Sequence, residues 1–239
     1  MAIRNFYQHS FVKGFDYNSY LIIFVFFKNH MANITVQNEF LNALILGNRL
    51  KSYEFIDNLL KENTLIEDIY EKSIRKSLYQ LGELWECGKI SVATEHLASA
   101  IVEADLNDLY LRRVSTKRIN KTVIVSCVEN EFHQIGAKMV CDIFEINGWN
   151  TYFLGSNVPI IDLIDFIKNT NPDLVALSLS VYHNFKILEN LLESIINDYP
   201  KLNILVGGQA FLHGGLEVLQ KYTNLTYVSD LYSLNSYLK

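Results

Sequence analysis

Apolar residues recur at intervals of three and four between Thr35 and about Val114, as at Phe40, Leu41, Leu44. This spacing is typical of amphipathic helices, because it places the apolar side chains on one face. We expect four helices in this part of the chain. The short connections between them predict an antiparallel four-helix bundle.

Three local signals place helix ends in this half. The sequence TLIE at residues 64–67 has the pattern of a capping box, so a long helix is expected to start at Leu65. Gly88 would end that helix, since glycine readily adopts the left-handed conformation that follows a helix. Ser91 is a candidate N-cap for a fourth helix over residues 92–113.

After about residue 121 the pattern changes to short β-rich runs separated by helical segments. In several of these runs apolar and polar residues do not alternate, which is typical of strands that are covered on both faces. The predicted strands are residues 122–128, 150–154, 174–179, 202–206 and 225–228, and the predicted helices are residues 135–147, 160–169, 185–198 and 216–221. A βαβ series of this kind predicts a flavodoxin- or Rossmann-like, doubly wound parallel sheet, with a ligand at the carboxyl ends of the strands.

Composition narrows the class of protein. Of 239 residues 49% are hydrophobic and 20% charged, and only 3 are proline, which excludes collagen-like and disordered chains. A net charge of −5 argues against direct nucleic-acid binding. The three cysteines, Cys87, Cys127 and Cys141, are odd in number and lack CxxC spacing, so we expect neither a disulfide framework nor a structural zinc site. This cysteine usage suits a reducing environment, and we expect a cytoplasmic location.

The first thirty residues differ from the rest. The apolar run at residues 20–27 is too short to cross a bilayer, which needs about 20 residues. It also lacks the small residues of a signal-peptide cleavage site, so no membrane association is expected. We expect translation to begin at Met31 and residues 1–34 to be an extension that is not native. The remaining chain would form a helical cap at 35–115 and an α/β domain at 120–239.

The loop after the first predicted strand contains the pattern E-x-H-x-x-G, formed by Glu131, His133 and Gly136. A carboxylate two residues before a histidine can hold one imidazole nitrogen, so that the other faces outward as a metal ligand. Gly136 would let the backbone turn or a bulky ligand approach. On these residues alone, a solvent-exposed or capping histidine remains an alternative.

Other candidate residues follow the third and fourth strands. Ser178 ends the third strand, and Gly207 and Gly208 follow the fourth, so a hydroxyl and two bare backbone segments should line one sheet edge. These features suit a slot for a flat heteroaromatic group, although ordinary βα loops also contain them. His183 and His213 lie near the same rim, either touching the ligand or solvated.

Together these motifs resemble the B12-binding module of methionine synthase, corrinoid methyl-transfer proteins and CarH-type photoreceptors. The resemblance implies a cobalamin cofactor with His133 as its lower axial cobalt ligand and Glu131 as the hydrogen-bonded partner of that histidine. Most of the family has aspartate where Glu131 stands, and glutamate is the photoreceptor version. The resemblance also assigns a loop glycine and contacts to the cofactor's dimethylbenzimidazole tail, namely Gly136, Ser178, Gly207 and Gly208.

The helical half extends the resemblance. Trp85, nine intervening residues, and then Glu95 and His96 match the pattern of CarH-type photoreceptors, and Val92 matches the small residue that leaves room for an adenosyl group. By this resemblance Trp85 and Glu95 contact the upper ligand, and His96 becomes an upper cobalt ligand after photolysis. From the residues alone, a core tryptophan and an ordinary helix-face histidine remain alternatives.

The resemblance predicts a cobalamin-binding sensory protein that responds to light through cleavage of the cobalt–carbon bond of adenosylcobalamin. About 34 residues precede the helical half, too few for the DNA-binding domain of the photoreceptors. We therefore expect signalling in trans to a transcription regulator or another signalling protein, by a non-enzymatic protein that could self-associate. The alternative is the corrinoid component of a methyltransferase system, carrying methylcobalamin. An interaction domain that has lost cofactor binding is a third alternative.

Overall fold

The computed structural model describes residues 39–239. The expected extension at 1–34 and the expected start at Met31 lie outside these residues. Within the described part, no helix combines the length and the apolar character needed to cross a membrane. We use the term helical region for residues 39–113 and α/β region for residues 122–238.

The helical region contains four helical stretches within the described residues. They are α1 (Glu39–Ile45), α2 (Arg49–Lys61), α3 (residues 66–86) and α4 (Val92–Arg113). Many of the apolar positions that predicted these helices are buried, including Phe40, Leu44 and Ile56, whereas Leu97 in α4 is 48% exposed. The sequence prediction of a helical cap before the sheet is confirmed.

The expected helix ends are confirmed on both sides of the connection between α3 and α4, but the cap expected at the start of α3 is wrong. Gly88 follows the end of α3 in the left-handed conformation, with φ of +68°, and its N–H donates to the Trp85 carbonyl at 2.9 Å. Ser91 caps α4, with its hydroxyl accepting a hydrogen bond from the Thr94 N–H at 3.1 Å. The capping box at 64–67 does not form, because Leu65 is the N-cap and makes no side-chain cap bond. The Thr64 N–H instead donates to the Leu59 carbonyl at 3.0 Å and closes the end of α2.

Helix α3 changes its hydrogen-bond pattern twice. It is α-helical over Ile66–Asp68, π-helical over Ile69–Arg75 and α-helical again over Lys76–Glu86. The π-helical stretch places two adjacent buried residues, Tyr70 and Glu71, against the α/β region. The Tyr70 hydroxyl donates to Asp142 at 2.9 Å, and Glu71 accepts a bond from the Leu231 N–H at 2.7 Å.

The α/β region is a five-stranded sheet in the order β2-β1-β3-β4-β5, and every pair of neighbouring strands is parallel. The strands are β1 (Thr122–Cys127), β2 (Asn150–Gly155), β3 (Leu174–Ser178), β4 (Asn203–Gly207) and β5 (Leu225–Val228). The helices are α5 (Ile135–Ile146), α6 (Ile160–Thr170), α7 (Phe185–Asp198) and α8 (Leu231–Leu238). This order and orientation confirm the flavodoxin-like prediction.

The predicted element bounds agree with the structure to within about one residue, with two differences. Residues Leu216–Lys221 form a 3-10 helix and not the expected α-helix. The chain also ends in α8, which the sequence analysis missed. Asp230 begins α8 with a capping box that includes Ser233, a signal present in the sequence.

Two apolar cores cover the two faces of the sheet. Alternate strand residues such as Val123 and Val125 join a core that also contains α5, α8 and the helical region. Their neighbour Ile124 belongs to the second core, which lies under α6 and α7. Because the first core runs without interruption from helical region to sheet, the helical region packs on the side of the sheet that carries α5.

The buried contact between Tyr70 and Asp142 gives a pH-dependent stability. Burial raises the pKa of Asp142 to about 6, although the Tyr70 hydroxyl partly opposes that rise. The folded state therefore holds the Asp142 proton more tightly than the unfolded state. This contribution to stability is complete below about pH 4 and is lost as the pH rises through about 6.

Replacement of Asp142 by asparagine keeps an acceptor for Tyr70 and removes the buried charge. We expect Asp142→Asn to raise the free energy of unfolding at pH 8 by about 2 kcal/mol and to flatten its pH dependence between pH 4 and 7. Urea unfolding over this pH range measures both. Glu54→Gln, at an exposed position of α2, is the control. Equal pH slopes in the wild type and Asp142→Asn would contradict the prediction.

Candidate functional site

The candidate residues of the α/β region meet at the carboxyl edge of the sheet. Cys127, at the end of β1, pairs in register with Ser178 at the end of β3. Ser178 pairs in turn with Gly207 at the end of β4. The loop that carries Glu131 and His133 leaves β1 at this same edge. The structure thus brings together all three predicted loops of the site.

Glu131 is a fully buried carboxylate that binds two loops at once. One oxygen, Oε1, accepts from the His133 N–H at 3.0 Å and lies 2.5 Å from His133 Nδ1. The other, Oε2, accepts from the Ser180 and Val181 N–H groups, both at 2.8 Å. Glu131 therefore ties the His133 loop to the loop that follows β3.

These hydrogen bonds keep the carboxyl group of Glu131 ionised. Burial alone would raise the pKa of its carboxyl, but the bonds from His133, Val181 and Ser180 outweigh burial and hold the pKa at about 2. The same pairing acts on the histidine. The hydrogen bond to Glu131 raises the pKa of His133 against the lowering effect of burial, and the charge of Glu95 adds to the rise.

The direction of the His133 ring follows from this pairing. Because Glu131 occupies Nδ1, the proton of a neutral imidazole lies on that nitrogen and Nε2 has the free lone pair that a metal needs. The His133 side chain is 67% exposed, so Nε2 is open to a ligand. Its neighbour in sequence, Phe132, is 66% exposed, so the same loop also presents an apolar side chain to solvent.

The surrounding backbone explains why two of the three predicted positions are occupied by glycine. Gly208 has φ of +116°, and a Cβ there would lie 2.2 Å from the Leu179 carbonyl oxygen. A Cβ at Gly207 would lie 2.8 Å from the Val228 carbonyl oxygen. At both positions the neighbouring backbone therefore leaves no room for a side chain. Gly136 is exposed in the first turn of α5, and no atom lies within 4 Å of where its Cβ would be.

A second glutamate–histidine pair lies in the first turns of α4. His96 Nδ1 lies 2.6 Å from Glu95 Oε2, and the Ser99 hydroxyl donates to Glu95 Oε1 at 2.8 Å. The His96 side chain is 74% exposed and has its Nε2 directed away from the pairing carboxylate. Trp85 and Val92 are each about half exposed, so neither is the core residue that their apolar character alone would suggest.

The two predicted faces of the site approach each other. The charge of Glu95 acts on His133. About two turns further along α4, Glu103 accepts a hydrogen bond from the side-chain amide of Gln134 at 2.9 Å. The sequence analysis missed Gln134 and Glu103. The available signal was the spacing of Glu95, Ser99 and Glu103, which places them on one face of α4.

The remaining predicted residues lie at the rim. His183 lies in the 3-10 turn Tyr182–Asn184 and His213 in the 3-10 turn Gln209–His213, and both are exposed. Across residues 39–239, no three side chains of His, Cys, Asp or Glu form a group that could hold a metal ion. The histidines His133 and His96 are thus single candidate ligands, each with one carboxylate partner.

Two models of protein domain families match most of the described chain. A model described as a B12 binding domain matches residues 121–228, which hold the sheet and the His133 loop. A second model, also described as a B12 binding domain, matches residues 36–108 in the helical region. The two matches divide the chain at the change of apolar spacing.

The curated relatives that match include proteins of two kinds. Trimethylamine corrinoid protein 1 of Methanosarcina acetivorans is 26% identical over 149 residues, which are 59% of this chain and 68% of that protein. The HTH-type transcriptional repressor CarH of Myxococcus xanthus is 30% identical over 142 residues, which are 59% of this chain and 47% of that protein. The alignment with CarH thus spans about half of that relative.

A solved structure confirms the fold. The monomethylamine corrinoid protein of Methanosarcina barkeri superposes with a TM-score of 0.72, covering 84% of this chain and 95% of that chain at 14% sequence identity. At this identity the similarity concerns the arrangement of the helical region and the parallel sheet.

Proposed function

Because the chain belongs to the family of B12-binding domain proteins and is a cobalamin-binding protein, we propose that it is a light-responsive sensor that signals to a partner protein in trans. The cofactor would be adenosylcobalamin, held between α4 and the carboxyl edge of the sheet. His133 would be the lower axial ligand, and Glu131 would keep its Nε2 directed at the metal. The Glu131–His133 pair, 2.5 Å between Oε1 and Nδ1, supports the cobalamin site, and the Glu95–His96 pair, 2.6 Å between Oε2 and Nδ1, carries the choice of a sensor.

The residues of the lower face fit a corrinoid. A metal that arrives inside a macrocycle needs only one protein ligand on that side, and His133 offers one exposed imidazole with a fixed tautomer. Gly136 leaves open space beside it. Ser178 and Gly207 pair in register at the same edge of the sheet and Gly208 follows directly, and the nucleotide tail would bind there.

The upper face supplies the argument for a sensor. When bound, adenosylcobalamin supplies a cobalt–carbon bond that visible light can break. Trp85 offers a flat apolar wall, and Glu95 can accept hydrogen bonds from ribose hydroxyls. His96, whose Nδ1 lies 2.6 Å from Glu95 Oε2, would offer a second imidazole to the cofactor from α4, and a change in its contacts would alter those of the helix, as in a switch that a local change of ligand controls.

A methyl carrier of a methyltransferase system is the second candidate. It is favoured by the relatives named trimethylamine corrinoid protein, which align over about two thirds of their length. A carrier would use the same His133 contact, but would need neither the Glu95–His96 pair nor light. In either case we propose a cytoplasmic protein that works with a partner.

Absorbance spectra separate the two candidates. We expect the chain mixed with adenosylcobalamin in the dark to change its spectrum under green light to that of cobalt with two imidazole ligands. His133→Ala should lose the lower imidazole, and His96→Ala should bind in the dark but lose the stable light product. Glu54→Ala, at an exposed position of α2 outside the candidate site, is the control and should behave as the wild type.

Each other outcome has a definite meaning. A wild type that is unaffected by light, and whose bound cobalamin after reduction to cobalt(I) takes up a methyl group from a methyl donor with release of the demethylated donor, would contradict the sensor and support the carrier. A spectrum identical to free cobalamin for both cofactors would contradict both. Size-exclusion chromatography in the dark and after light tests the signalling step, since a sensor should change its self-association or its affinity for a partner.

A further inference from the structure

Gln134 is the residue between the His133 loop and α5, and its side chain reaches the helical region. Its Nε2 donates to Glu103 Oε1 at 2.9 Å. Glu103 lies about two turns after Glu95 on α4, with Ser99 between them on the same face. This hydrogen bond therefore joins the helix of the upper face to the loop of the lower face.

The environment of Gln134 fixes the direction of its amide. Gly155, at the end of β2, has φ of +77°, and a Cβ there would lie 3.0 Å from Gln134 Oε1. The amide oxygen thus faces the end of β2, and the NH₂ group faces Glu103. A carboxylate can only accept, so the pair has one favourable orientation. Gln134 is half-buried, which limits competition from water.

Two other side-chain bonds join α5 to the helical region at a distance from His133. Asp142 accepts from Tyr70 at 2.9 Å, and Glu145 accepts from Tyr110 at 3.2 Å. Glu145 lies eleven residues after Gln134, about 16 Å along a helix. These contacts hold the two regions together, whereas the Gln134 contact acts next to the candidate cobalt ligand.

We propose that Gln134 and Glu103 are a positioning pair that sets the gap between α4 and the His133 loop. The inference rests on the proposed cobalamin site and deepens it. The pair aligns His133 with the face of α4 that carries Glu95, and so determines how well a corrin fits between them. Neither residue touches the metal in this proposal, and each acts through the loop that carries His133.

A charge swap tests the pair. Gln134→Glu places two carboxylates against each other and should open the gap, whereas Gln134→Glu combined with Glu103→Gln restores a donor and an acceptor with their roles reversed. Tyr110→Phe is the matched control, because it removes a hydrogen bond between the same two regions at the far end of α5.

The first readout needs no cofactor. Hydrogen–deuterium exchange of the amides at residues 129–134 should be about 10-fold faster in Gln134→Glu than in the wild type, near the wild-type rate in the double variant, and unchanged in Tyr110→Phe, since one lost hydrogen bond is worth about a factor of 10. Equal rates in Gln134→Glu and the wild type would overturn the inference, whatever cobalamin does.

The second readout is the ligation of bound cobalamin. Gln134→Glu should bind hydroxocobalamin about 10-fold more weakly and show less imidazole-bound cobalt in its spectrum, and the swap should restore both. If the wild type binds and the swap restores nothing, or Tyr110→Phe has the same effect, the positioning role is overturned while the proposed function stands. If the wild type does not bind cobalamin, both fall together.

Discussion

Replacement of Glu131 by alanine is expected to lower the free energy of unfolding by about 3–5 kcal/mol. Glu131 is completely buried and accepts from the N–H groups of His133, Ser180 and Val181. Alanine would leave these donors without their acceptor and would leave a cavity between two loops. Urea unfolding at pH 7 measures the loss.

A neighbouring glutamate provides the control for this variant. Glu129 lies in the same loop, is half-buried and accepts one backbone bond, from the Ile160 N–H at 3.3 Å. Glu129→Ala should cost about 1 kcal/mol or less. A similar loss in Glu129→Ala and Glu131→Ala would mean that the loop tolerates neither change for general reasons, and would contradict the special role of Glu131.

The pH dependence of this effect has a definite sign. The pKa of Glu131 in the folded protein, about 2, is below its ordinary value of 4.5. Its contribution to stability is therefore present above about pH 4.5 and is lost as the pH falls toward 2. The wild type and Glu131→Ala should accordingly converge in stability in acid. A difference that persists unchanged at pH 2.5 would show that packing, not charge, causes it.

Replacement of Gly208 by alanine is expected to have an effect of similar size, about 3–5 kcal/mol. The residue has φ of +116° and ψ of 170°, a conformation that essentially only glycine adopts. In addition a Cβ would lie 2.2 Å from the Leu179 carbonyl oxygen, a backbone atom that cannot move alone. The midpoint of urea unfolding measures the loss.

Alanine variants at two other glycines test the same steric argument and remain informative if Gly208→Ala fails to fold. Gly207→Ala meets one backbone oxygen at 2.8 Å and should cost less. Gly136→Ala meets nothing within 4 Å and should be neutral or stabilise α5 by up to about 1 kcal/mol. An equal effect at all three positions would contradict the argument. Gly136→Ala should nonetheless weaken cobalamin binding, because Gly136 lies three residues after His133 in the first turn of α5 and its open space would receive the cofactor.

The fold was predictable because its signals are local or periodic. Apolar spacing located the helices and strands, and Ser91 marked the start of α4 by its own side-chain bond. The capping box at 64–67 failed because the Thr64 N–H closes the preceding helix. The last helix, α8, was missed although Asp230 and Ser233 form its capping box.

The candidate site was only partly predictable. A pair of residues two positions apart, such as Glu131 and His133, can be inferred to interact because the chain itself brings them together. The bond between Gln134 and Glu103 joins residues that are distant in sequence, so only the packing of α4 on α5 reveals it. The same holds for the reason behind Gly208, which depends on a carbonyl group from the loop after β3.

The π-helical stretch Ile69–Arg75 sets the rotational phase of everything that follows in α3. Its two buried anchors, Tyr70 and Glu71, fix one end of the helix, and Trp85 lies near the other. In an α-helix each residue adds about 100° of rotation. A π-helix turns through a smaller angle per residue, so conversion of this stretch to an α-helix of the same length would rotate Trp85 about the helix axis, whereas loss of one residue together with that conversion would leave its direction nearly unchanged. The hydrogen-bond pattern of this stretch thus sets the direction in which the Trp85 side chain leaves α3.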